Sequence, residues 1–455
     1  MANRIVGRIL SGAVGALGLL ALPATLSAQT AAVPTFTKDV APIFQSKCES
    51  CHRPDSIAPM SLQTYEEARP WARSIRDRVA SRNMPPWMID PNVGIQHYKN
   101  DRSLSPKEID TIVKWAGNGA PKGDPKDMPA KIAWNDGNDW HYKKQFGEPD
   151  LIIKSPKYTE KGGAMDAWYK PVVDVPITEP RWVRAIEMRP GSLKGRKITH
   201  HALAYLLQDE KEAVAQGLIS ADNDSGAGLF MEWAVNKEGE LLRPNTGKLL
   251  MPGSKIRWDI HYSDGGEDIT DEVQMAVYFY PKGQEPKYRT MLALYSGVTG
   301  GNRNLDIQPN SISVGQNFHV LRKAARVENF QPHMHLRGKA MMVEAILPNG
   351  TQQVLGYVPN FEFNWMNNYV FDDDYAPLLP KGTILKITAW HDNTAAKKSN
   401  PDPSQWIGWG DRTVDEMAHA WINITYMSDE DFNKEVEARK AKMSTTTERQ
   451  QQQQQ

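Results

Sequence analysis

The stretch KIRWDIHY, Lys255–Tyr262, decides the fold class of most of this chain. Apolar and polar residues alternate along it, and in an extended strand such residues face opposite sides of a sheet. The apolar members are Ile256, Trp258 and Ile260, and the polar members are Arg257, Asp259 and His261. The stretch DEVQMAVYFY, Asp271–Tyr280, has the same period, and short strands separated by Gly and Pro turns continue to about Met427. This pattern predicts one or two antiparallel β-sandwiches.

The part of the chain before this region has a helical pattern, from about Val33 to Gly123. In the stretch SPKEIDTIVKWAGNGAP, Ser105 is the expected N-cap, and Glu108 completes a capping box three residues later. A glycine, either Gly117 or Gly119, is expected to end this helix.

The first residues have the three-part layout of a secretory signal. Arg4 and Arg8 form a basic region, an apolar run extends from Ile9 to Leu22, and small residues lead to Ala28. The apolar run is shorter than the ~20 residues that a helix needs to span a membrane, and no later run approaches that length. We therefore expect an exported protein, periplasmic or secreted, with a signal peptide at 1–28 and no membrane span in the mature chain.

The charge balance excludes one class of partner. The chain carries 54 Lys and Arg residues against 54 Asp and Glu residues, for a net charge of +0. Without a basic excess, binding to nucleic acid or to an anionic membrane by bulk electrostatics is not expected. With 40% hydrophobic and 24% charged residues, the composition is that of a folded protein with real cores.

The chain has two cysteines, and both lie in the motif CESCH, at Cys48, Cys51 and His52. This motif is typical of c-type haem attachment, in which two thiols add to the porphyrin and the adjacent histidine becomes an axial ligand of the iron. The other interpretations, a structural disulfide or a chance match, fit an exported and otherwise cysteine-free chain less well. The motif therefore predicts one covalent haem c and leaves no cysteine for a disulfide.

The sixth ligand of the haem iron is less clearly marked. Met60, Met84, Met88 and His97 all lie within reach in the sequence. We favour Met84, because it precedes two prolines in RNMPPW and therefore lies in a rigid, extended segment. A thioether ligand raises the reduction potential of a haem, which suits an electron carrier.

Histidines of the strand-rich region form patterns that could hold metal ions. His200 and His201 are adjacent in KITHHALAYLL, and His261 lies on the polar side of its strand. His333 and His335, in FQPHMHLRGK, are two residues apart, so both rings point to one side of an extended chain. Adjacent residues of a regular strand face opposite sides, so His200 and His201 share an ion only where the strand twists or ends. Each pattern by itself also fits buried or surface histidines.

Together with DEM at Asp415–Met417, these motifs resemble those of the copper type II, ascorbate-dependent monooxygenases, the family of the peptidylglycine α-hydroxylating and dopamine β-hydroxylating enzymes. The matching stretches, in the same order, are THHALAY, DIHYSD, HMHLRGK and TVDEMAHAWINITYM. The resemblance implies two copper ions, one held by His200, His201 and His261 and the other by His333, His335 and Met417. Imidazole suits copper, and the thioether of Met417 favours Cu(I), the state that must meet O₂.

A second resemblance concerns the helical part. The stretches FTKDVAPIFQSKCESCH, MPPW and LSPKEIDTIVKWAGNGAPKGDP look like the cytochrome c domain at the front of multidomain periplasmic bacterial proteins. The two resemblances imply an α + mainly β protein, in which a small helical cytochrome c domain precedes two antiparallel, jelly-roll-like β-sandwich copper domains. The predicted boundaries are the signal peptide at 1–28, the cytochrome c domain at 33–125, a linker at 126–148, the N-terminal copper monooxygenase-like β-sandwich at 149–300, the C-terminal one at 301–430, and a charged helix with a Gln-rich tail at 431–455.

The chain also departs from the animal enzymes of that family. It has no cysteine left for the disulfides that brace their copper domains. Gln331 stands where the peptide enzyme has an Arg that holds the substrate carboxylate, and His419 and Trp421 replace other residues of its pocket. Peptidylglycine is therefore not the expected substrate. His419 either lines the pocket or packs behind it, and His391 either supports a copper ligand or is structural.

The resemblance implies O₂-dependent hydroxylation of a substrate C–H, with O₂ activated at the site of His333, His335 and Met417. Relatives take electrons from ascorbate, and we hypothesise that the fused haem supplies them here, from a periplasmic electron donor to the first copper. The expected partners are O₂, an unidentified organic substrate and that donor. Two alternatives remain: a haem–copper electron-transfer or redox-sensing protein without monooxygenase activity, and a cytochrome c that carries an inert β-sandwich docking module.

Overall fold

The computed structural model describes residues 32–54, 56, 58–99, 101–134, 139–164, 166–219, 228–234, 237 and 239–453. The signal peptide predicted at 1–28 lies outside these residues. Residues from Pro34 onward form one compact unit. In the described residues, no helix has both the length and the apolar character needed to cross a membrane.

The described residues contain eight α-helices, four of them before residue 118 and one after the last strand. The α-helices are α1 (Ala41–Lys47), α2 (Tyr65–Ala68), α3 (Ala72–Ala80), α4 (Pro106–Gly117), α5 (Lys143–Phe146), α6 (Gly195–Ile198), α7 (Glu210–Ala215) and α8 (Asp429–Gln453). A π-helical turn, Phe36–Val40, leads into α1. The predicted capping box of α4 is confirmed, because the Ser105 side chain accepts from the Glu108 amide and the Glu108 carboxylate accepts from the Ser105 amide.

The N-terminal helices share a small hydrophobic core. The rings of Phe36 and Phe44 pack against Trp115 of α4, with centroid distances of 6.0 Å and 6.2 Å. All three residues are fully buried. Burial of several aromatic side chains is a large contribution to the stability of so small a core. The half-buried Cys48 and Met60 pack at its edge.

Strands form most of the remaining structure. The first thirteen are β1 (Leu151–Lys154), β2 (Tyr158–Glu160), β3 (Ala167–Tyr169), β4 (Val172–Asp174), β5 (Arg181–Pro190), β6 (Thr199–Leu207), β7 (Leu229–Ala234), β8 (Glu240–Leu241), β9 (Thr246–Leu250), β10 (Lys255–Tyr262), β11 (Ile269–Asp271), β12 (Val273–Phe279) and β13 (Tyr288–Ser296). The others are β14 (Asp306–Ile307), β15 (Ile312–Val320), β16 (Ala324–Val327), β17 (Asn329–Met334), β18 (Gly338–Ile346), β19 (Gln352–Val358), β20 (Tyr369–Val370), β21 (Leu378–Leu379), β22 (Ile384–Asp392), β23 (Ile407–Gly408) and β24 (Ala418–Met427).

Three sheets position the candidate site. Among the described residues, the largest sheet has 11 strands and runs β1-β12-β5-β9-β13-β24-β16-β21, with β17 paired to β24. A second sheet runs β3-β10-β6-β7, and a third runs β15-β22-β18-β19. The predicted apolar side of β10 is buried, since Ile256, Trp258 and Ile260 are each 0% exposed. The prediction of a mainly β chain with several sheets is confirmed.

The largest sheet crosses the predicted domain boundary at residue 300. β13, which precedes that boundary, pairs antiparallel with β24 from Thr290 opposite Thr425 to Ser296 opposite His419. Its pairing with β9 on the other side is parallel and short. The boundary itself stays a prediction, but β13 is bonded mainly to a strand of the later segment.

A segment between α3 and α4, Met84–Lys99, lies along the second half of the β structure, and we call it the arm. Backbone amides of the arm donate to carbonyls of residues 355–370, and these pairs are Asp90 to Tyr357, Ile95 to Leu355 and Lys99 to Val370. Ile89 and Tyr98 are buried in the same hydrophobic core as β17, β18 and β24. The arm thus joins the helical region to the β region that carries His333.

Candidate metal centre

The first group of histidines comes from two paired strands. His200 and His201 lie on β6, His261 lies on β10, and His261 stands opposite His201 in the antiparallel register. The register shifts at the next residue, where Tyr262 pairs with Thr199, so His200 is an extra residue in β6. Such a bulge turns a side chain out of the regular alternation. It explains how two adjacent histidines reach the same point.

We call these three residues the first cluster, and their geometry suits a metal ion. One ring nitrogen from each histidine lies within 4.8 Å of those of the other two. The Nδ1 atoms of His200 and His201 are 3.2 Å apart. Two nitrogen ligands of one tetrahedral ion, each ~2.0 Å from the metal, lie roughly 3.3 Å apart. The donor set therefore fits one ion bound by imidazole nitrogens.

The surroundings keep these imidazoles neutral. Burial lowers the pKa of His200 to about 3, and the neighbouring His261 ring lowers it further. Burial also lowers the pKa of His261 and holds that of His201 well below its usual range. Only the neutral imidazole has a lone pair for a metal. The first cluster therefore offers three ligands without first having to lose protons.

Residues from distant parts of the chain hold His261 in place. Its Nε2 atom lies 3.1 Å from Asp166 Oδ2, and its ring stacks on Trp168 with 4.6 Å between centroids. The hydroxyl of Thr413 donates to the same carboxylate at 2.6 Å. A carboxylate behind a metal-binding histidine fixes the ring orientation and makes the ring a better donor. Thr413, from the segment just before Met417, therefore supports a residue of the first cluster.

The second group lies on one face of the pair formed by β17 and β24. In that register His333 stands opposite His419, and Met334 stands opposite Ala418. His335 directly follows β17, and Met417 directly precedes β24. Residues i and i+2 of a strand share a face with their cross-strand neighbours. His333, His335 and His419 therefore face the same side, and the ring of His333 lies 5.5 Å from that of His335 and 4.6 Å from that of His419 between centroids. We call His333, His335 and the predicted ligand Met417 the second cluster.

Hydrogen bonds at Nδ1 determine which ring nitrogen of each histidine keeps a lone pair for a metal ion. His335 Nδ1 lies 3.1 Å from the carbonyl oxygen of Asp415. A carbonyl has no proton, so Nδ1–H donates and Nε2 of the neutral ring keeps its lone pair. His333 Nδ1 lies 3.1 Å from the sulfur of Met366, a weak acceptor, with the same consequence. Burial lowers the pKa of His335 to about 4, so this ring is neutral as well.

Glu416 ties the two segments of the second cluster together. Its buried carboxylate accepts from the backbone amides of His335 and Arg337. Burial raises the pKa of Glu416 to about 7, and these amides oppose that rise. On the other side, His391 lies with Nε2 3.1 Å from the carbonyl of Met417, to which it donates. His391 thus supports the backbone of Met417.

The two clusters touch. The rings of His201 and His333 have centroids 5.5 Å apart and planes at 84°. Phe363 lies against both clusters, stacked on His200 at 4.4 Å and edge-on to His335 at 6.0 Å. Phe363 could not be identified from the sequence, because nothing in FEFNWMNN has the spacing of a metal motif. The same holds for Met366, Asp166 and Thr413, whose roles arise from tertiary contacts.

His419 and Trp421 form the wall beside His333. The ring of His333 stacks on both, with centroid distances of 4.6 Å to His419 and 4.5 Å to Trp421. The side-chain amide of Asn302 lies 3.0 Å from His419 Nδ1, with its nitrogen toward the ring. The amide therefore donates to Nδ1, which leaves the proton of the neutral ring on Nε2. His419 differs in this respect from His333 and His335.

The CESCH motif, predicted to attach haem, forms a single turn after α1. The amides of Cys51 and His52 both donate to the carbonyl of Cys48, at 3.1 Å and 2.9 Å. Neither cysteine is in a disulfide, and burial raises the pKa of the Cys48 thiol to about 12. His52 Nδ1 donates to the carbonyl of Met60 at 3.2 Å, which leaves Nε2 free. Two thiols and an oriented imidazole fit covalent haem attachment.

The candidates for the sixth iron ligand lie in different surroundings. Met84 is half-buried and lines a cleft with Val79 and Leu104, both members of the helical core. Met88 packs against the core of the second half of the β structure. His97 stacks on Tyr375, with 3.5 Å between centroids. Met84 as the iron ligand stays a prediction.

No protein-family model matches this sequence, and no curated protein matches it. Among solved structures, the chain is similar to the major capsid protein P2 of bacteriophage PM2, with 11% identity, a TM-score of 0.24, and coverage of 60% of this chain and 97% of that chain. It is also similar to the VP2 subviral particle of infectious bursal disease virus, with 11% identity, a TM-score of 0.18, and coverage of 66% and 76% of the two chains. At such TM-scores, neither similarity bears on function.

Proposed function

We propose that this protein is an exported oxidoreductase, periplasmic or secreted, that contains one haem c and two copper ions and hydroxylates a substrate C–H with O₂. The observation that carries the proposal is the contact between the two histidine clusters. Five neutral, buried or half-buried imidazoles converge there from separate strands. Burying so many polar rings is costly unless each of them finds a hydrogen-bond partner or binds a metal ion. The motif order that resembles the copper type II monooxygenases supports copper as that metal.

The residues assigned to each group follow from the donor sets. Cys48 and Cys51 attach the haem, with His52 and Met84 as axial ligands. The first cluster binds one copper ion, and His333, His335 and Met417 bind the other. When bound, the copper ions supply one-electron chemistry and a place for O₂, and the haem supplies electrons.

The protein groups around the second cluster do the positioning. Asp415 and Met366 orient the imidazoles, Glu416 holds the two ligand segments together, and His391 supports Met417. His419 stacks on His333 and keeps its proton on Nε2, because Nδ1 accepts from Asn302. In this proposal, the helical region is the cytochrome c domain and the β region forms two jelly-roll-like copper domains.

The same site argues against a carboxylate-ended peptide as substrate. Gln331 replaces the arginine of the peptide enzyme and is fully buried. Its Nε2 donates to Glu232 at 3.0 Å and to the carbonyl of Met366 at 3.3 Å. Both amide protons are thus used inside the protein, and no positive charge faces the site at this position. We therefore propose a neutral organic substrate.

Metal and haem analysis of the purified protein tests the cofactors. We expect near two copper ions per haem, with a pyridine haemochrome spectrum of a c-type haem. A haem without copper would favour a cytochrome c that carries an inert β module. A protein without covalent haem would contradict the proposal that the helical region is a cytochrome c domain.

Substrate-dependent O₂ uptake tests the reaction. We expect Met417→Ala to abolish uptake while a donor still reduces the haem, because Met417 contributes a ligand to the second cluster alone. Met443→Ala, on the exposed face of α8, is the matched control and is expected to behave as wild type. Intact metal binding with no uptake on any C–H substrate would favour the haem–copper electron-transfer or redox-sensing protein instead.

A further inference from the structure

The arm meets the second cluster through one short chain of contacts. The carbonyl of Pro86 accepts a 2.7 Å hydrogen bond from the side-chain amide of Asn367. Asn367 is 6% exposed, so water does not compete for this bond. Pro86 is two residues from Met84, which we assign to the haem iron. The hydrogen bond therefore links the haem side of the protein to the loop between β19 and β20.

The same loop touches a ligand of the second cluster. Met366, next to Asn367 in the chain, places its sulfur 3.1 Å from His333 Nδ1. Met366 is 3% exposed and belongs to the hydrophobic core that also contains Ile89 of the arm. Between Met84 and His333 there are thus two non-covalent contacts, and every other step follows the covalent chain.

Other contacts hold the arm rigidly against this loop. The amide of Met88 donates to the hydroxyl of Tyr369 at 3.1 Å. Trp87 packs edge-to-face on the same ring, with 4.8 Å between centroids. Together with the backbone bonds from Asp90, Ile95 and Lys99, these contacts fix the position of Pro86 relative to Asn367.

We propose that the arm is the electron-entry element of the protein and that an electron leaves the haem through Met84 and Pro86 and enters the metal centre at His333, by way of Asn367 and Met366. This inference rests on the proposed function. With both groups bound, a haem iron held by His52 and Met84 would give up one electron, from ferrous to ferric, and a copper ion held by the second cluster would accept it, from cupric to cuprous. One electron moves, no bond breaks and no proton is transferred.

This route differs from the one suggested by the sequence, in which the first copper receives the electron. The contacts of the arm named above are all with residues 355–375, on the side of the second cluster. The same loop also reaches the first cluster, through Phe363 stacked on His200, but Phe363 lies three residues further along the chain from Asn367 than Met366, which contacts His333. The inferred order of electron flow is therefore haem, second cluster, first cluster.

Cluster-deletion variants test the order directly. A flash-generated flavin semiquinone would deliver one electron to the fully oxidised, copper-loaded protein under anaerobic conditions, and haem absorbance would report reduction and then reoxidation. We expect the reoxidation to persist in His261→Ala and to be lost in His335→Ala. Persistence in His335→Ala with loss in His261→Ala would overturn the inference in favour of entry at the first cluster. No reoxidation in wild type would instead contradict the proposed function.

Variants of the two contacts test the route. We expect slower haem reoxidation in Met366→Leu, which keeps the volume but removes the sulfur, and in Asn367→Leu, which removes the hydrogen bond to Pro86. Lys99→Ala is the matched control, because it removes an exposed ion pair between the arm and Asp373 and leaves Pro86, Asn367 and Met366 untouched. Its reoxidation rate is expected to equal that of wild type.

A separate measurement distinguishes a lost route from a loosened fold. In the copper-free protein, hydrogen exchange at the amides of Asp90, Ile95 and Lys99 reports whether the arm stays docked. We expect Met366→Leu to keep wild-type protection while reoxidation slows. Unchanged reoxidation in both Met366→Leu and Asn367→Leu would overturn the route, and so would slowing equal to that of Lys99→Ala.

Discussion

The ring of His201, on β6, lies edge-on against the ring of His333, on β17, with 5.5 Å between centroids. The two strands belong to different sheets, so this contact joins the first cluster to the second. His333 also has a partner outside both clusters, since its Nδ1 lies 3.1 Å from the sulfur of Met366. The two candidate metal sites are therefore parts of one buried imidazole group and are expected to respond to each other.

Removing His201 tests that connection. We expect His201→Ala to lose metal from the first cluster and to weaken binding at the second by roughly 10–100-fold, because His333 loses the ring that packs against it. Copper titration with a competing chelator, followed by metal analysis, gives both affinities. His319→Ala is the control, since its Nε2 bonds to the carbonyl of Ser296 away from both clusters. Unchanged affinity at the second cluster would show that the two sites are independent.

Asp166 and Thr413 provide a second test, because Asp166 lies beside His261 Nε2 and Thr413 donates to the Asp166 carboxylate. Asp166→Asn and Thr413→Val are each expected to weaken copper at the first cluster by about 10–100-fold, as second partners of metal-binding histidines do. Asp411→Asn is the matched control. Asp411 lies two residues before Thr413 and pairs with Lys170 at the surface. If all three substitutions weakened copper binding equally, the effect on affinity would not come from the contact between Asp166 and His261.

The haem ligands can be separated by spectroscopy. We expect Cys48→Ser and Cys51→Ser to lower the yield of covalent haem, measured as the pyridine haemochrome. Met84→Leu is expected to remove the thioether-to-iron charge-transfer band and to lower the reduction potential. Met60→Leu should leave both unchanged, because Met60 contacts His52 through its backbone carbonyl. Loss of the band in Met60→Leu, with retention in Met84→Leu, would assign the sixth ligand to Met60.

Much of the local structure follows from the sequence, for reasons visible in single residues. Ser105 and Glu108 specify the start of α4 because a capping box needs only these two side chains and their own backbone. The alternation in β10 predicts its buried side, since Ile256 and Trp258 pack inward wherever the sheet lies. His333 and His335 share a face for the same reason.

Other features depend on contacts between distant parts of the chain and could not be predicted. The bulge at His200 arises from the register of β6 against β10, which no single strand encodes. Met366 and Asp166 have no motif, and their roles appear only where separate segments meet. The prolines after Met84 predict a rigid, extended segment, but the packing of the arm against residues 355–375 depends on the tertiary fold.

A buried group of charges beside the second cluster leads to the last prediction. Lys237 pairs with both Glu232 and Glu240, and Lys248 pairs with Glu240 at 2.7 Å. All four side chains are at most 5% exposed. Gln331, two residues before His333, donates to Glu232 and so connects this group to the strand that carries the second cluster. Charges so deeply buried are stable only while they remain paired.

Acid is therefore expected to destabilise the protein through Glu240. Burial raises its pKa, but the ammonium groups of Lys237 and Lys248 outweigh that effect and lower the pKa to about 2, against 4.5 for the unperturbed side chain. A carboxyl group with a lowered pKa stabilises the folded state above its unfolded pKa and loses that contribution as the pH falls through the folded pKa. We expect about 3 kcal/mol to be lost between pH 4.5 and pH 2.

The substitution Glu240→Gln isolates this contribution. It leaves two buried ammonium groups with one carboxylate, so we expect a loss of about 3–5 kcal/mol in the free energy of unfolding at neutral pH. The acid-dependent loss between pH 4.5 and pH 2 should shrink in the variant, because the group that titrates is gone. Urea unfolding at several pH values measures both effects. Glu66→Gln, at an exposed pair with Lys122, is the control and should unfold as wild type does. A variant as stable as wild type, with the same acid dependence, would show that Glu240 does not hold the two lysines.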